Sequence, residues 1–197
     1  MPFVASGTRR SATVRAPALP TPDRAAGRLG RDFFARPSPV VARELLGSWL
    51  VRRWQGGTRR VRVIETEAYL GPDDPASHAF RGQTSRNAPM FGRAGVAYVY
   101  FIYGMHHCFN VVTGAPGDPQ AVLLRGAMAQ TPGLRLQGPG LLCRELHIDL
   151  GDNGVDLCGA NGGALWLEPG AAPGSVLVTP RIGVRDPRPL RFLTPPQ

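Results

Sequence analysis

Lysine is absent from the 197-residue chain, and all 23 basic side chains are arginine. Chemistry that begins with a side-chain amine, a lysine Schiff base above all, is therefore excluded, because a guanidinium stays protonated and is a poor nucleophile. Cysteine is scarce too. Cys108, Cys143 and Cys158 are odd in number and widely spaced, so no disulfide framework is expected. No apolar run is long enough for a signal-peptide core or a membrane span, which excludes a helical membrane protein. These absences predict a reducing, cytoplasmic setting. Acids number only 14, leaving a net charge of +9, and a basic surface attracts polyanions. Nucleic acid leads the partner classes.

The length suits one core with tails. Residues 1–30 carry Arg9, Arg10, Arg15, Arg24 and Arg28 against one acid, Asp23, without apolar periodicity. They are expected to form a disordered basic arm ahead of a single domain over 31–197. Ser38 followed by Pro39 predicts a helix start, with Ser38 as N-cap and Val41, Ala42, Leu45 and Leu46 at helical spacing before Gly47. Trp49 to Arg53 and Val61 to Leu70 flank Gln55-Gly56-Gly57 as one hairpin. The run AYVYFIYGMHHCFNVV predicts a second hairpin with Tyr103, Gly104, Met105 and His106 at its tip. A strand over Ala121 to Met128, a helix in GPGLLCREL and short strands over Ala164 to Leu167 and Ser175 to Val178 complete a mixed domain on an antiparallel sheet.

Within VIETEAYL, strand alternation places Val61, Val63, Glu65, Glu67 and Tyr69 on one face and Arg62, Ile64, Thr66, Ala68 and Leu70 on the other. Glu67 and Tyr69 are then same-face neighbours about 7 Å apart. Glutamates on a solvent face would be unremarkable. Their company argues for a pocket instead: His78, Arg81, Arg86 and Asn87 follow in a loop, and Tyr98, Tyr100, Tyr103, Asn110 and Arg125 on later strands. Leu123 and Ala127 are expected beside Arg125 on its face, an apolar setting where an unpaired charge is costly. Glu65 is its candidate structural partner.

The segments ETEAYLGPDD, QTSRNAPMF, YVYFIYGM, CFNV, AVLLRGA, GPGLLC, and RIGV followed by PLRF resemble the alkyladenine (3-methyladenine) DNA glycosylases, in family order, over about Phe34 to Phe192. The resemblance implies an α+β fold, a single mixed domain on a curved antiparallel sheet with a protruding hairpin that inserts into DNA. It implies a monofunctional, cofactor-free monomer acting on double-stranded DNA. The enzyme would flip out an alkylated or deaminated purine and hydrolyse its N-glycosidic bond, in a cytoplasmic, bacterial nucleoid-associated location. By the same resemblance Glu67 is the general base, with Arg125 and the main-chain carbonyl of Ile182 helping to hold the water. Tyr69, His78 and Tyr100 sandwich the base, as aromatic faces suit electron-poor alkylated rings. Asn110 crowds the exocyclic amine of guanine, Tyr103 wedges into the duplex, and Thr84, Met105, Arg86 and Asn87 meet the DNA backbone. His106 and His107 depart from the bulkier residues common in the family.

Two rivals stand beside this reading. Cys143 and His147 are spaced i, i+4 on a predicted helix, as metal ligands could be, although no CxxC or HxxxH pair accompanies them. A non-catalytic DNA-binding module would also suit the charge, but it gains nothing from a carboxylate facing a polyanion.

Overall fold

In the computed structural model, which describes residues 27–131, 133–159 and 163–195, two long strands form a spine. They are β2 (Gly57–Tyr69) and β5 (Gln120–Ala129), paired antiparallel. Each is longer than any strand on its outer edge and pairs with two others there. The start of β2 takes β1 (Trp49–Trp54) and its end takes β9 (Arg191–Leu193). The start of β5 takes β4 (His106–Thr113), which carries β3 (Ala97–Ile102), and its end takes β6 (Arg135–Gln137). With β7 (Leu165–Glu168) on β1 and β8 (Leu177–Thr179) on β9, the nine strands among the described residues make one curled antiparallel sheet. Among the described residues three short α-helices accompany it: α1 (Arg31–Phe34), α2 (Ser38–Glu44) and α3 (Pro139–Glu145).

The branching coincides with a double irregularity. Between Val63 and Glu65 the partner advances only from Ala127 to Gly126, and between Glu65 and Thr66 it advances from Gly126 to Leu124. One extra residue sits in β2 and then one, Arg125, in β5. Such bulges bend and twist the pair. They also switch faces: Val61 and Val63 share the main core with Ala68, not with Glu67, and Ala127 joins that core instead of lying beside Arg125. Simple alternation is thus corrected for Val61, Val63 and Ala127, while Glu65, Glu67 and Tyr69 do share a side.

Helix α2 closes the core side, with Val41, Ala42 and Leu45 fully buried against the sheet. Thr66 Oγ1 donates to the Ala42 carbonyl at 2.7 Å. The helix starts one residue earlier than expected. Pro37 is its N-cap, and Ser38 is buried with its hydroxyl donated to the Tyr69 carbonyl and its N–H to Gln120. Residues 1–26 of the expected arm over 1–30 lie outside the described residues. Packing has begun before residue 31: the Leu29 amide donates to Leu167 at 2.8 Å, and the Arg28 guanidinium lies over Trp166. No helix among the described residues is long and apolar enough to cross a membrane.

Candidate active site

A cavity of about 490 Å³ opens on the sheet face opposite α2. Register explains which side chains reach it. Asn110 on β4 pairs with Leu123 on β5, and Leu123 pairs with Glu67 on β2, so one row across three strands forms the floor. Two residues away in each strand, Cys108, Arg125 and Tyr69 line the same cavity.

Glu67 is 1% exposed. Its Oε1 accepts the Ile182 N–H at 2.9 Å and its Oε2 accepts the Tyr69 hydroxyl at 3.0 Å. Arg125 Nε lies 3.6 Å from Glu67 Oε1 and 3.0 Å from Glu65 Oε1. Although buried, that Nε makes no well-directed hydrogen bond, so Arg125 acts on both acids as a charge. Glu65 is further tied to Arg191 Nε at 2.6 Å, which makes it the bridge between two arginines and leaves Glu67 the carboxylate facing the cavity. At Ile182 the sequence pointed to the carbonyl; the atom that engages Glu67 here is the amide.

Tyr69, His78, Tyr98 and Tyr100 line the same cavity. The His78 and Tyr100 rings meet edge to face with centroids 4.5 Å apart, and His78 Nδ1 is 2.8 Å from the Tyr98 hydroxyl. Burial first, then the Arg86 charge, pushes the His78 imidazole down to about 4, so the ring is neutral near pH 7. Burial, then the Glu67 charge, raises the Tyr69 phenol. Burial likewise raises Tyr100, reinforced by Cys108 across the hairpin. Both tyrosines therefore keep their protons, and Tyr69 can donate to Glu67. The Asn110 amide is fixed by donating Nδ2 to the Tyr98 carbonyl at 3.0 Å.

At the cavity mouth the β3–β4 turn exposes Tyr103 by 83% and Met105 by 68%. Thr84 and Arg86 are also exposed, the Arg86 guanidinium 5.9 Å from the Tyr100 ring centroid. Asn87 differs. It is buried, with Oδ1 accepting the Thr84 N–H at 2.6 Å and Nδ2 donating to the carbonyls of His78 at 2.8 Å and Gly82 at 3.1 Å. Its side chain staples the loop that presents Thr84 and Arg86 and is not itself free to touch a ligand.

Sequence reasoning gave no part in the cavity to Cys108 or to the wall from Gln137 to Leu141, and named Leu123 only as an apolar neighbour of Arg125. Cys108 and Leu123 were findable, being two residues from Asn110 and Arg125 on their strands. Of the wall, only Gln137 lies on the three-residue β6, too short for periodicity, whereas Gly138 to Leu141 open α3, expected as a helix but given no part in the site. Among the described residues no group of three His, Cys, Asp or Glu side chains is placed to hold a metal ion.

Comparison with known proteins agrees with this geometry. The family model described as methylpurine-DNA glycosylase matches residues 32–196. A protein of Myxococcus xanthus named "Putative 3-methyladenine DNA glycosylase" is 52% identical over 162 residues, covering 79% of this chain and 81% of its own. A protein of the same name from Anaeromyxobacter sp. is 50% identical over 173 residues, 84% of this chain and 88% of its own. One from Methanocella arvoryzae is 44% identical over 170 residues, 79% and 84% of the two chains. With nearly the whole described structure inside the match and the aromatic cavity beside a buried glutamate, the chain belongs to the methylpurine-DNA glycosylase family.

Proposed function

We propose that this DNA glycosylase, which excises alkylated purines, does so with water as nucleophile and Glu67 as general base. Water attacks the sugar C1′, the C1′–N bond breaks with its electron pair leaving on the purine, and the water proton passes to Glu67. The products are a free base and an abasic site in an unbroken strand. Cleavage of an N-glycosidic bond develops positive charge on the sugar, which a nearby carboxylate also stabilises. The observation that carries this reading is Glu67 itself: a cavity-lining carboxylate whose two oxygens are aimed by the Ile182 amide and the Tyr69 hydroxyl.

The remaining roles follow from position. Tyr69, His78 and Tyr100 stack an extruded purine, alkylated or deaminated, and the neutral His78 adds no charge to repel a cationic ring. Asn110 sits on the floor, where it limits what the purine edge can carry. Tyr103, large and exposed, fills the gap that base flipping leaves, and the exposed Met105 beside it meets the DNA backbone. Thr84 and Arg86 flank the mouth, where phosphates would pass. A pure binding module gives no use for a carboxylate buried in the cavity.

Glu67→Gln tests the base directly. The amide fits the same space, since Tyr69 Oη can accept where it formerly donated, so folding and DNA binding should persist. Single-turnover excision of a methylated purine should fall by roughly 10²–10⁴-fold. A near-normal rate would remove Glu67 from the mechanism.

A further inference from the structure

Behind the aromatic wall lies a buried charge cluster that the chemistry described so far does not use. The side chains of Arg181 and Asp74 are both fully buried. Arg181 Nη1 donates to the Ala68 carbonyl at 2.9 Å, and Nη2 to Asp74 Oδ1 at 2.8 Å. Nη2 also donates to Asp186, and Arg188 Nη2 reaches Asp74 Oδ1 at 3.0 Å from the outer edge. Burial alone would raise Asp74, but the Arg181 hydrogen bonds and charge, together with the Leu70 and Ala76 amides, outweigh it and hold the carboxyl below its ordinary range. Two arginines thus face two aspartates. Buried ion clusters are a weak source of stability compared with apolar packing, so this one calls for another reason.

Its two outputs converge on one carboxylate. The Arg181 guanidinium lies 4.5 Å from the Tyr69 ring centroid, and the Tyr69 hydroxyl donates to Glu67 Oε2. The residue that follows, Ile182, donates its amide to Glu67 Oε1. Arg181 itself does not line the cavity. We infer that Arg181, clamped by Asp74 and Asp186, is a positioning residue that sets both hydrogen-bond donors on Glu67 and so fixes the direction in which that carboxylate meets water. The inference rests on Glu67 being the base. The aspartates also cancel the guanidinium charge, so the cavity-side face of Tyr69 stays available to an electron-poor purine.

A double-mutant cycle tests this on the full chain. Arg181→Met should slow single-turnover excision at saturating enzyme by about 10–100-fold, the cost of slightly misplacing a catalytic group. Affinity for an abasic-site duplex should change by less than about threefold, because the acting group is not a binding one. In a Glu67→Gln background the same substitution should cost less than about twofold, since residues acting through one group are not additive. Equal losses in both backgrounds, or a loss confined to affinity, would overturn the positioning role while leaving Glu67 as base. A Glu67→Gln enzyme with a normal rate would instead overturn the base assignment and this inference with it. If circular dichroism shows Arg181→Met unfolded, Arg181→Lys and Asp186→Asn are put through the same cycle. Lysine keeps the charge but cannot span Asp74, Asp186 and the Ala68 carbonyl together. The coupling to Glu67 should persist in both, and its absence in both would overturn the role.

Discussion

Asn110 and His78 occupy neighbouring parts of the cavity and act through different physics. Asn110 is 4% exposed and anchored to the Tyr98 carbonyl, which in the proposed binding mode makes it a rigid occupant of the space for a purine edge. A pocket excludes a group by filling its place. Asn110→Ser should therefore narrow the preference for hypoxanthine over guanine, on the order of tenfold as for other small steric gates, in single-turnover assays on matched duplexes. An unchanged ratio would show that the gate lies elsewhere. His78 concerns protonation. With its folded value depressed from 6.5 to about 4, the folded protein binds fewer protons than the unfolded chain between those pH values. Stability from this group is full above pH 6.5 and is lost as pH falls towards 4. A histidine NMR titration should place His78 near 4, rising when Arg86 is replaced by alanine. A midpoint near 6.5 in the wild type would contradict the packed, neutral ring.

The β3–β4 turn and the bulged β2–β5 pair show where elements depart from local preference. Tyr103 and Gly104 both have positive φ, 55° and 67°, a turn conformation for which Asn-Gly is the favoured pair. An aromatic residue held there, 83% exposed, goes against both backbone preference and burial, which suits a residue that works outside the fold. Tyr103→Ala should lower excision from duplexes far more than from single strands, because only a duplex leaves a stack to be refilled. Equal losses would reduce Tyr103 to a turn residue. Both hairpins, the β5 strand and the helices before Gly47 and after Gly138 were legible in the sequence through alternation and turn residues. The single-turn helix α1 and the three-residue strands β6 and β9 are too short for periodicity to speak. The bulge at Glu65 and Arg125 was hidden for a sharper reason: an extra residue in each strand restores the register, so the pattern looks regular on both sides while the faces have exchanged. Glu67 and Tyr69 were still placed together because both follow the bulge. Ile182 was named for its carbonyl and not for the amide that engages Glu67, and the Asp74–Arg181 clamp was not found at all, since partners 107 residues apart leave no local trace.

At the scale of the whole molecule, one curled sheet carries apolar packing on the α2 side and the cavity on the other. The carboxylate proposed as the base, Glu67, sits where the two spine strands stay paired, with one donor, Tyr69, from β2 itself and the other, Ile182, from the segment leading into β9. The arginine-only basic complement, with a net charge of +9, supplies attraction to phosphates without a lysine nucleophile. The central claim, hydrolysis by activated water without a covalent enzyme intermediate, is tested most directly on a duplex containing one methylated purine. Wild-type protein is added in excess with borohydride present, and base, strand and protein are then analysed together. Free methylated base, an abasic strand that breaks only on alkali treatment, and no trapped protein–DNA adduct are the predicted results. A strand already nicked before alkali, or an adduct held by a reduced Schiff base, would contradict the account.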